Sequence, residues 1–233
     1  MSRAFTTRGI VLKRLNYGEA DRILTILTAD HGKLSVMAKG VRRAKAKLAG
    51  SVELFGVSDL SILPGRGEIH TLISARLFKH FGNIIKSTDR TELGYQLIKT
   101  IDKTTAEQPE PGYYTLLAKV LEALNDQKLA LDFIDFWFKL HLLEITGHSP
   151  NLHSDRHGRR LELAKTYDFQ VARMHFEPVP TSRGPYRAEH IKVLRLALDA
   201  ELPRRLARID QAGKHIRKLQ PLVDTMLQTY LPL

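Results

Sequence analysis

Leu34-Ser35-Val36-Met37-Ala38-Lys39-Gly40-Val41-Arg42-Arg43-Ala44-Lys45-Ala46-Lys47 joins two signals in one stretch. In its first half Leu34, Val36 and Ala38 alternate with Ser35, Met37 and Lys39, the period of two expected of a half-buried strand. Its second half sets five cations in the nine residues from Lys39 to Lys47, with no acid among them. Cations crowded in this way repel one another unless a polyanion approaches. Phosphate backbones are the usual polyanion, because each neutralised phosphate releases a condensed counterion. A solvated loop kept for solubility and a contact with an anionic membrane are the alternatives.

Outward from that stretch the pattern stays β-like. Residues 9–15 and 22–28 have the Ile, Val, Leu and Thr content of strands, and Asp30-His31-Gly32-Lys33 is a turn signal before Leu34. After the basic loop, residues 52–63 form another β-type run, with Gly56 expected at a bulge or bend. Pro64-Gly65-Arg66-Gly67 marks a further turn, and Ile69, Thr71, Ile73, Ala75 and Leu77 then alternate with His70, Leu72, Ser74 and Arg76. Five strands and a long loop in about 80 residues predict a closed barrel of the OB type, which leaves no free edge.

From residue 83 the period becomes helical. Leu93, Leu97, Ile98 and Ile101 mark one face, and Leu116, Leu117, Val120, Leu121 and Leu124 mark another, before residues 125–128 break the pattern. Residues 129–145 are apolar nearly all round, through Phe133, Ile134, Phe136, Trp137, Phe138, Leu140, Leu142 and Leu143. Such a helix belongs at the centre of a bundle, with Asp132 and Asp135 on its wet side. Gly147 and Pro150 end it. Residues 147–187 read as polar and irregular, with four prolines. Helices resume at 188–200 and 204–212, and the last spans 221–230, with Pro221 in its first turn and Leu222, Val223, Met226, Leu227 and Tyr230 on one stripe. The fold class is therefore α+β: an OB-fold domain over 1–82, then an α-helical domain over 83–233 with an irregular insertion at about 147–187.

Composition narrows the chemistry. The 233 residues are 43% hydrophobic, enough for an ordinary core, and carry 36 Lys and Arg against 25 Asp and Glu, a net charge of +11. Residues 1–50 hold eleven cations and three acids, whereas 101–144 hold four and eight. With no cysteine, disulfides, thiol catalysis, iron–sulfur clusters and Cys-type zinc sites are excluded. No signal peptide opens the chain and no apolar run approaches 18 residues, so a soluble, cytoplasmic protein without a membrane partner is expected. There is no Walker-type loop, no His-Glu-x-x-His and no Gly-x-Ser-x-Gly. The expectation is a binding protein without catalytic residues or cofactor.

Several motifs in order carry a resemblance. Tyr17-Gly18-Glu19-Ala20-Asp21-Arg22-Ile23-Leu24-Thr25, Leu27-Thr28-Ala29-Asp30-His31-Gly32-Lys33 and the basic stretch from Ala38 to Lys47 resemble the amino-terminal domain of the bacterial RecO family of DNA repair proteins. Ile145-Thr146-Gly147-His148-Ser149-Pro150-Asn151-Leu152 is similar to the Gly-x-x-Pro-x-Leu segment that follows the central helix there. The resemblance implies an OB-fold followed by helices, binding of single- and double-stranded DNA, and annealing of complementary strands. It also implies cooperation with RecR to place RecA on DNA coated by single-stranded-DNA-binding protein, in the nucleoid, without enzymatic turnover. Many relatives hold zinc on two Cys-x-x-Cys pairs after that segment. Here the region has only His153, Asp155, His157 and His175 to offer, and they lack the second close pair that structural zinc sites use. No metal is expected, and Phe169, Val171 and Phe176 are expected to anchor the region by packing. An RNA-binding OB module acting in RNA handling or ribosome assembly is the alternative from another class, and an unrecognised enzyme of nucleic-acid metabolism a third.

OB-folds hold single strands with a cationic groove and stacking side chains. The candidate groove cations are Lys39, Arg42, Arg43, Lys45 and Lys47 from the loop, with Arg8, Lys13, Arg14 and Lys33 behind them. Arginine meets phosphate bidentately and lysine as a point charge, so Arg42 and Arg43 are the expected ordered contacts. Lys33 also reads as a plain hairpin cation, and Arg22 as a structural partner of Asp21. Tyr17 is the exposed stacking candidate and Phe55 a core residue. Arg204, Arg205, Arg208, Lys214, Arg217 and Lys218 form a second basic stretch opposed only by Asp210. It would hold a second strand, receive the acidic tail of single-stranded-DNA-binding protein, or simply be a solvated helix face.

Overall fold

The computed structural model describes residues 3–46, 48–105, 111–180 and 183–231. Its first five strands are β1 (Phe5–Tyr17), β2 (Asp21–Thr28), β3 (Lys33–Ala38), β4 (Gly56–Leu63) and β5 (Ile69–His80). They close a barrel in the order β1-β2-β3-β5-β4, antiparallel throughout except for the parallel pair β3 and β5. This is the expected OB-type barrel, and the class of the whole chain is α+β. Its interior is filled by Val11, Leu24, Ile26, Val36, Ala38, Leu60, Ile62 and Leu72, together with Val41 and Val52 from the β3–β4 connection.

β1 starts earlier and ends later than its apolar run. The extra residues pair at both ends, Phe5 with Ile62 of β4 and Tyr17 with Asp21 of β2. A bulge at Leu12 shifts the β1–β2 register between Val11 and Lys13, and re-aims the residues beyond it. β4 begins only at Gly56, because bends over 52–55, the last of them Phe55 at φ 59°, take up the start of the run read over 52–63, behind a 3₁₀ turn (Ala49–Ser51). The β2–β3 turn falls on Asp30-His31-Gly32, where the Thr28 hydroxyl donates to the Gly32 carbonyl at 2.8 Å.

Two compact units divide at residues 127 and 128, so the first contains two helices as well as the barrel. These helices, α1 (Thr88–Thr104) and α2 (Pro111–Asn125), both lie against β1. Ser87 caps α1, its hydroxyl accepting from the Arg90 amide. Arg90 is itself buried, and its guanidinium donates to the Leu124 and Gln127 carbonyls at 3.0 and 3.1 Å. A cation is thus spent on the carboxyl-terminal end of α2, where the helix dipole favours it.

The second unit is built on α3 (Leu131–Ile145), which packs against α4 (Ala188–Leu198) and α5 (Ala212–Tyr230). Trp137 is buried and its indole N–H donates to the Ala200 carbonyl at 2.7 Å. The expected wet side of α3 is only half right. Asp132 is exposed, but Asp135 is mostly enclosed and takes bonds from Lys139 and Gln220 at 2.6 and 2.8 Å. Burial pushes the Asp135 carboxyl up from its usual range, against the pull of Lys139. α5 begins nine residues before its expected start, with Pro221 inside it. Ile216 and Leu219 already continue the buried stripe of Leu222, Val223, Met226 and Leu227, and that burial offsets the lost proline hydrogen bond. Residues 147–187, read as irregular, contain an antiparallel sheet in the order β7-β6-β8: β6 (Thr166–Gln170), β7 (His175–Pro178) and β8 (Tyr186–Arg187). Phe169 and Phe176 are buried anchors there, as expected, joined by Tyr167 and Met174, whereas Val171 is only half-buried. Among the described residues no helix is long and apolar enough to cross a membrane.

Barrel closure leaves no room at Gly9. A Cβ there would lie 2.7 Å from both Ile26 Cγ2 and Leu60 Cδ1. Gly9→Ala is expected to lower stability by about 1–3 kcal/mol, seen as a lower urea midpoint with an unchanged slope.

Candidate nucleic-acid interface

The basic loop leaves β3 at Lys39 and is fastened at once to the β1–β2 turn. Gly40 takes φ 65°, a conformation that favours glycine, and its N–H donates to the Asp21 carboxylate at 2.6 Å. The Arg42 amide donates to the Ala20 carbonyl at 2.9 Å and its guanidinium to the Gly18 carbonyl at 3.1 Å. Between them Val41, 2% exposed, plugs into the barrel core. Two further turns follow, Arg43 N to Gly40 O at 3.1 Å and Ala46 N to Arg43 O at 3.0 Å. The loop is therefore held at its base by backbone bonds and one buried side chain, while Lys39, Arg42, Arg43 and Lys45 stand exposed. Lys47 lies outside the described residues. Tyr17, 55% exposed, sits at the end of β1 beside Gly18, so a stacking face stands next to the loop.

The remaining candidate cations do not join this group evenly. Lys13 is exposed on β1. Lys33 is turned onto α1, its ammonium donating to the Asp102 carbonyl at 2.7 Å and pairing with its carboxylate at 3.5 Å. Arg8 pairs with Asp59 at 3.2 Å and lies over the Phe78 ring, 3.7 Å from its centroid. Asp59 also accepts from Arg76 at 3.1 Å, and the bonds from Arg76 and Arg8 hold its carboxyl below the usual range despite some desolvation. Arg8 is six residues from Arg14 along β1, roughly 20 Å in an extended strand, so these two cannot serve one phosphate.

Arg14 and Arg22 meet instead. Arg14 stands opposite Leu24, and Arg22 opposite Asn16 and Ala38, so both point to the core-facing side near the strand ends. Glu53 receives both guanidiniums, Arg14 on Oε2 and Arg22 on Oε1, the latter at 3.3 Å, and Arg22 Nε also donates to Asn16 at 3.3 Å. The expected Arg22–Asp21 pair is not formed, because Asp21 is turned to Gly40 and paired neighbours on a strand face opposite sides. Burial, and then the nearby Arg22 charge, push the Arg14 guanidinium down from its ordinary value, partly countered by Tyr95. Glu53 was missed because a lone acid in a broken β run carries no period. The bulge at Leu12 likewise hid the facing of Arg14.

In the second unit, Arg204, Arg205 and Arg208 project from a 3₁₀ helix (Pro203–Arg208), and Lys214, Arg217 and Lys218 from the first turns of α5. All six are exposed, and Arg205 reaches Glu201 at 3.5 Å. Arg205, Arg208 and Lys214 line a cleft of about 830 Å³ with Lys192, Leu196 and His215. Glu189, His190 and His215 bring one ligand atom each within 4.8 Å of one another at its edge, the group of metal-ligand type found among the described residues. His190 has already committed its Nδ1 lone pair to the Arg187 amide at 3.0 Å.

The segment after α3 does not fit a thiolate-type zinc site. His153 and His157 are exposed, whereas His175 is buried against the Glu177 carboxylate at 2.7 Å. Asp155 accepts from the amides of His157 and Arg159 at 2.8 and 3.0 Å and from the Arg159 side chain at 2.8 Å. Those donors outweigh its burial and hold its carboxyl low. A carboxylate-centred turn and an aromatic cluster, with Phe169 and Phe176 rings 4.8 Å apart, shape this region.

A closed five-stranded barrel with a clamped basic loop, followed by helices, defines a two-part protein of the OB class. Residues 1–81 match the family described as Recombination protein O N terminal, and residues 87–233 match Recombination protein O C terminal. The chain belongs to the RecO family of DNA repair and recombination proteins. It is 30% identical over 211 residues to the DNA repair protein RecO of Dehalococcoides mccartyi, covering 85% of this chain and 80% of that one. It is 31% identical over 148 residues to the RecO of Rubrobacter xylanophilus and 34% over 151 to that of Bifidobacterium longum. Those matches span 64% of this chain in each case, and 59% and 63% of the relatives' own lengths.

The Asp21–Gly40 bond is expected to set the order of the loop. Asp21→Ala should cost about 1.5–3 kcal/mol of local stability, read as faster hydrogen exchange at the Gly40 and Arg42 amides with β5 amides unchanged.

Proposed function

We propose that this chain is a non-catalytic recombination mediator that binds single- and double-stranded DNA through the basic loop of its barrel and anneals complementary strands. Lys39, Arg42, Arg43, Lys45 and Lys47 track the phosphate backbone, with Lys13 and the ring of Tyr17 beside them. The single observation that carries this reading is the clamped loop. Its described cations are exposed and form no ion pair among the described residues, and the loop is held through the Gly40 and Arg42 amides, with one Arg42 guanidinium N–H on the Gly18 carbonyl. Arg8 and Lys33 contribute less, since each is already tied to a carboxylate. The basic surface at Arg204, Arg205, Arg208, Lys214, Arg217 and Lys218 holds a second strand, which gives annealing a physical route. In the cell the protein acts in the nucleoid with RecR and helps to load RecA onto DNA coated by single-stranded-DNA-binding protein. The names of its relatives support a role in DNA repair.

Strand annealing with labelled complementary oligonucleotides tests the reading. Annealing without ATP is the expected result, and binding restricted to structured RNA, or cleavage of the substrate, overturns it. Replacing Arg42, Arg43, Lys45 and Lys47 together by Ala should shallow the slope of log affinity against log salt for single strands by about 3 units. An unchanged slope would remove the loop as the binding surface.

A further inference from the structure

The arginine pair at the end of the barrel has an anion already bound to it, and that anion belongs to the protein. Each oxygen of Glu53 takes one guanidinium, Arg14 from β1 and Arg22 from β2. Two guanidiniums converging on two oxygens is the arrangement that recognises a phosphate. Their positions are set by strand register and by the Asn16 amide oxygen on Arg22, independently of the carboxylate. Glu53 is set differently. The backbone on either side of it is anchored, with Val52 and Phe55 buried, but its own side chain is 45% exposed and would leave by rotating. Arg14 and Arg22 are only 25% and 24% exposed, so they need an anion throughout, and a phosphate that enters as Glu53 rotates out replaces that anion without leaving the two charges bare. Glu53 also lies on the same β3–β4 connection that carries the free cations from Lys39 to Lys45.

We propose that Arg14 and Arg22 form a second phosphodiester site at the mouth of the barrel, kept closed by the Glu53 carboxylate until a nucleic-acid phosphate displaces it. This rests on the DNA-binding reading above and adds Arg14 and Arg22 to its contacts. It gives Glu53 the role of a resident competitor. Anions too weak to expel it are excluded, and a strand already held by the loop delivers its next phosphates at high local concentration.

The test measures binding of a labelled oligothymidylate over a range of salt to the wild type, Glu53→Gln, Arg22→Gln and the double variant. Glu68→Gln is the control, since Glu68 is an exposed acid in the β4–β5 turn with no ion pair among the described residues, and its loss changes net charge equally. Glu53→Gln is expected to bind several-fold more tightly than Glu68→Gln, with the gain lost in the double variant. Arg22→Gln alone should shallow the salt slope by about 0.7. Equal affinities for the two glutamine variants, or a slope indifferent to Arg22, would overturn the site. A measurement on the wild type guards against variants that fail to fold. The Arg14 and Arg22 Nε–H resonances should move on titration with the oligonucleotide, and resonances that stay fixed while that of Arg42 moves would rule the exchange out. A wild-type chain that ignores the oligonucleotide defeats DNA binding altogether, and this site with it. Binding that persists with Arg22 silent defeats the site alone.

Discussion

One hydrogen bond turns a run of charge into a placed surface. Five cations in nine residues would spread apart if left to their mutual repulsion. Asp21 accepts the Gly40 amide, the left-handed Gly40 turns the chain, and Val41 enters the core behind it. Repulsion among the side chains is then opposed by backbone geometry, which it can do little to alter. The turn between β1 and β2 and the loop after β3 are separate in sequence, but each supplies what the other lacks: carbonyls and a carboxylate on one side, amides and a guanidinium on the other.

The same economy explains why the cations of the barrel are not equivalent. Asp59 takes Arg8 and Arg76, Asp102 takes Lys33, and Glu53 takes Arg14 and Arg22. Each acid grounds cations that a count of charge would assign to ligand binding. From Lys39 to Lys45, where the exposed cations form no ion pair among the described residues, formal charge becomes field. A net charge of +11 is therefore a poor guide to where a polyanion lands.

The barrel was legible because period two survives in β3, because residues 22–28 have the content of a strand, and because Pro64-Gly65-Arg66-Gly67 punctuates it. In β5 the alternation marked a strand but the wrong face, since Leu72 fills the core while Ile69, Ile73 and Leu77 are exposed. The central helix was legible through its all-round apolar content, and Trp137 as core follows from that. What escaped did so for identifiable reasons. β6, β7 and β8 are five, four and two residues long, too short for alternation to register. Pro221 masks a helix that starts at Ala212, since a proline is read as a beginning before it is read as an interior residue. Asp135 looked solvated because Gln220, which donates to it, and Asp224, which shares Lys139 with it, reach it only once α3 and α5 pack. The exposed charge of the loop was legible from sequence alone, whereas the acid that occupies Arg14 and Arg22 was not, since such a pairing is a property of the closed barrel.

β1 has two clienteles. Val11 looks into the barrel, while Ile10 and Leu12 are equally dry yet lie outside the interior cluster, on the strand that α1 and α2 cover. A fragment cut at the last strand would keep every barrel hydrogen bond and still present a greasy stripe to water. Expression of the first unit in isolation should therefore run through Gln127, so that both helices travel with the strand they shelter.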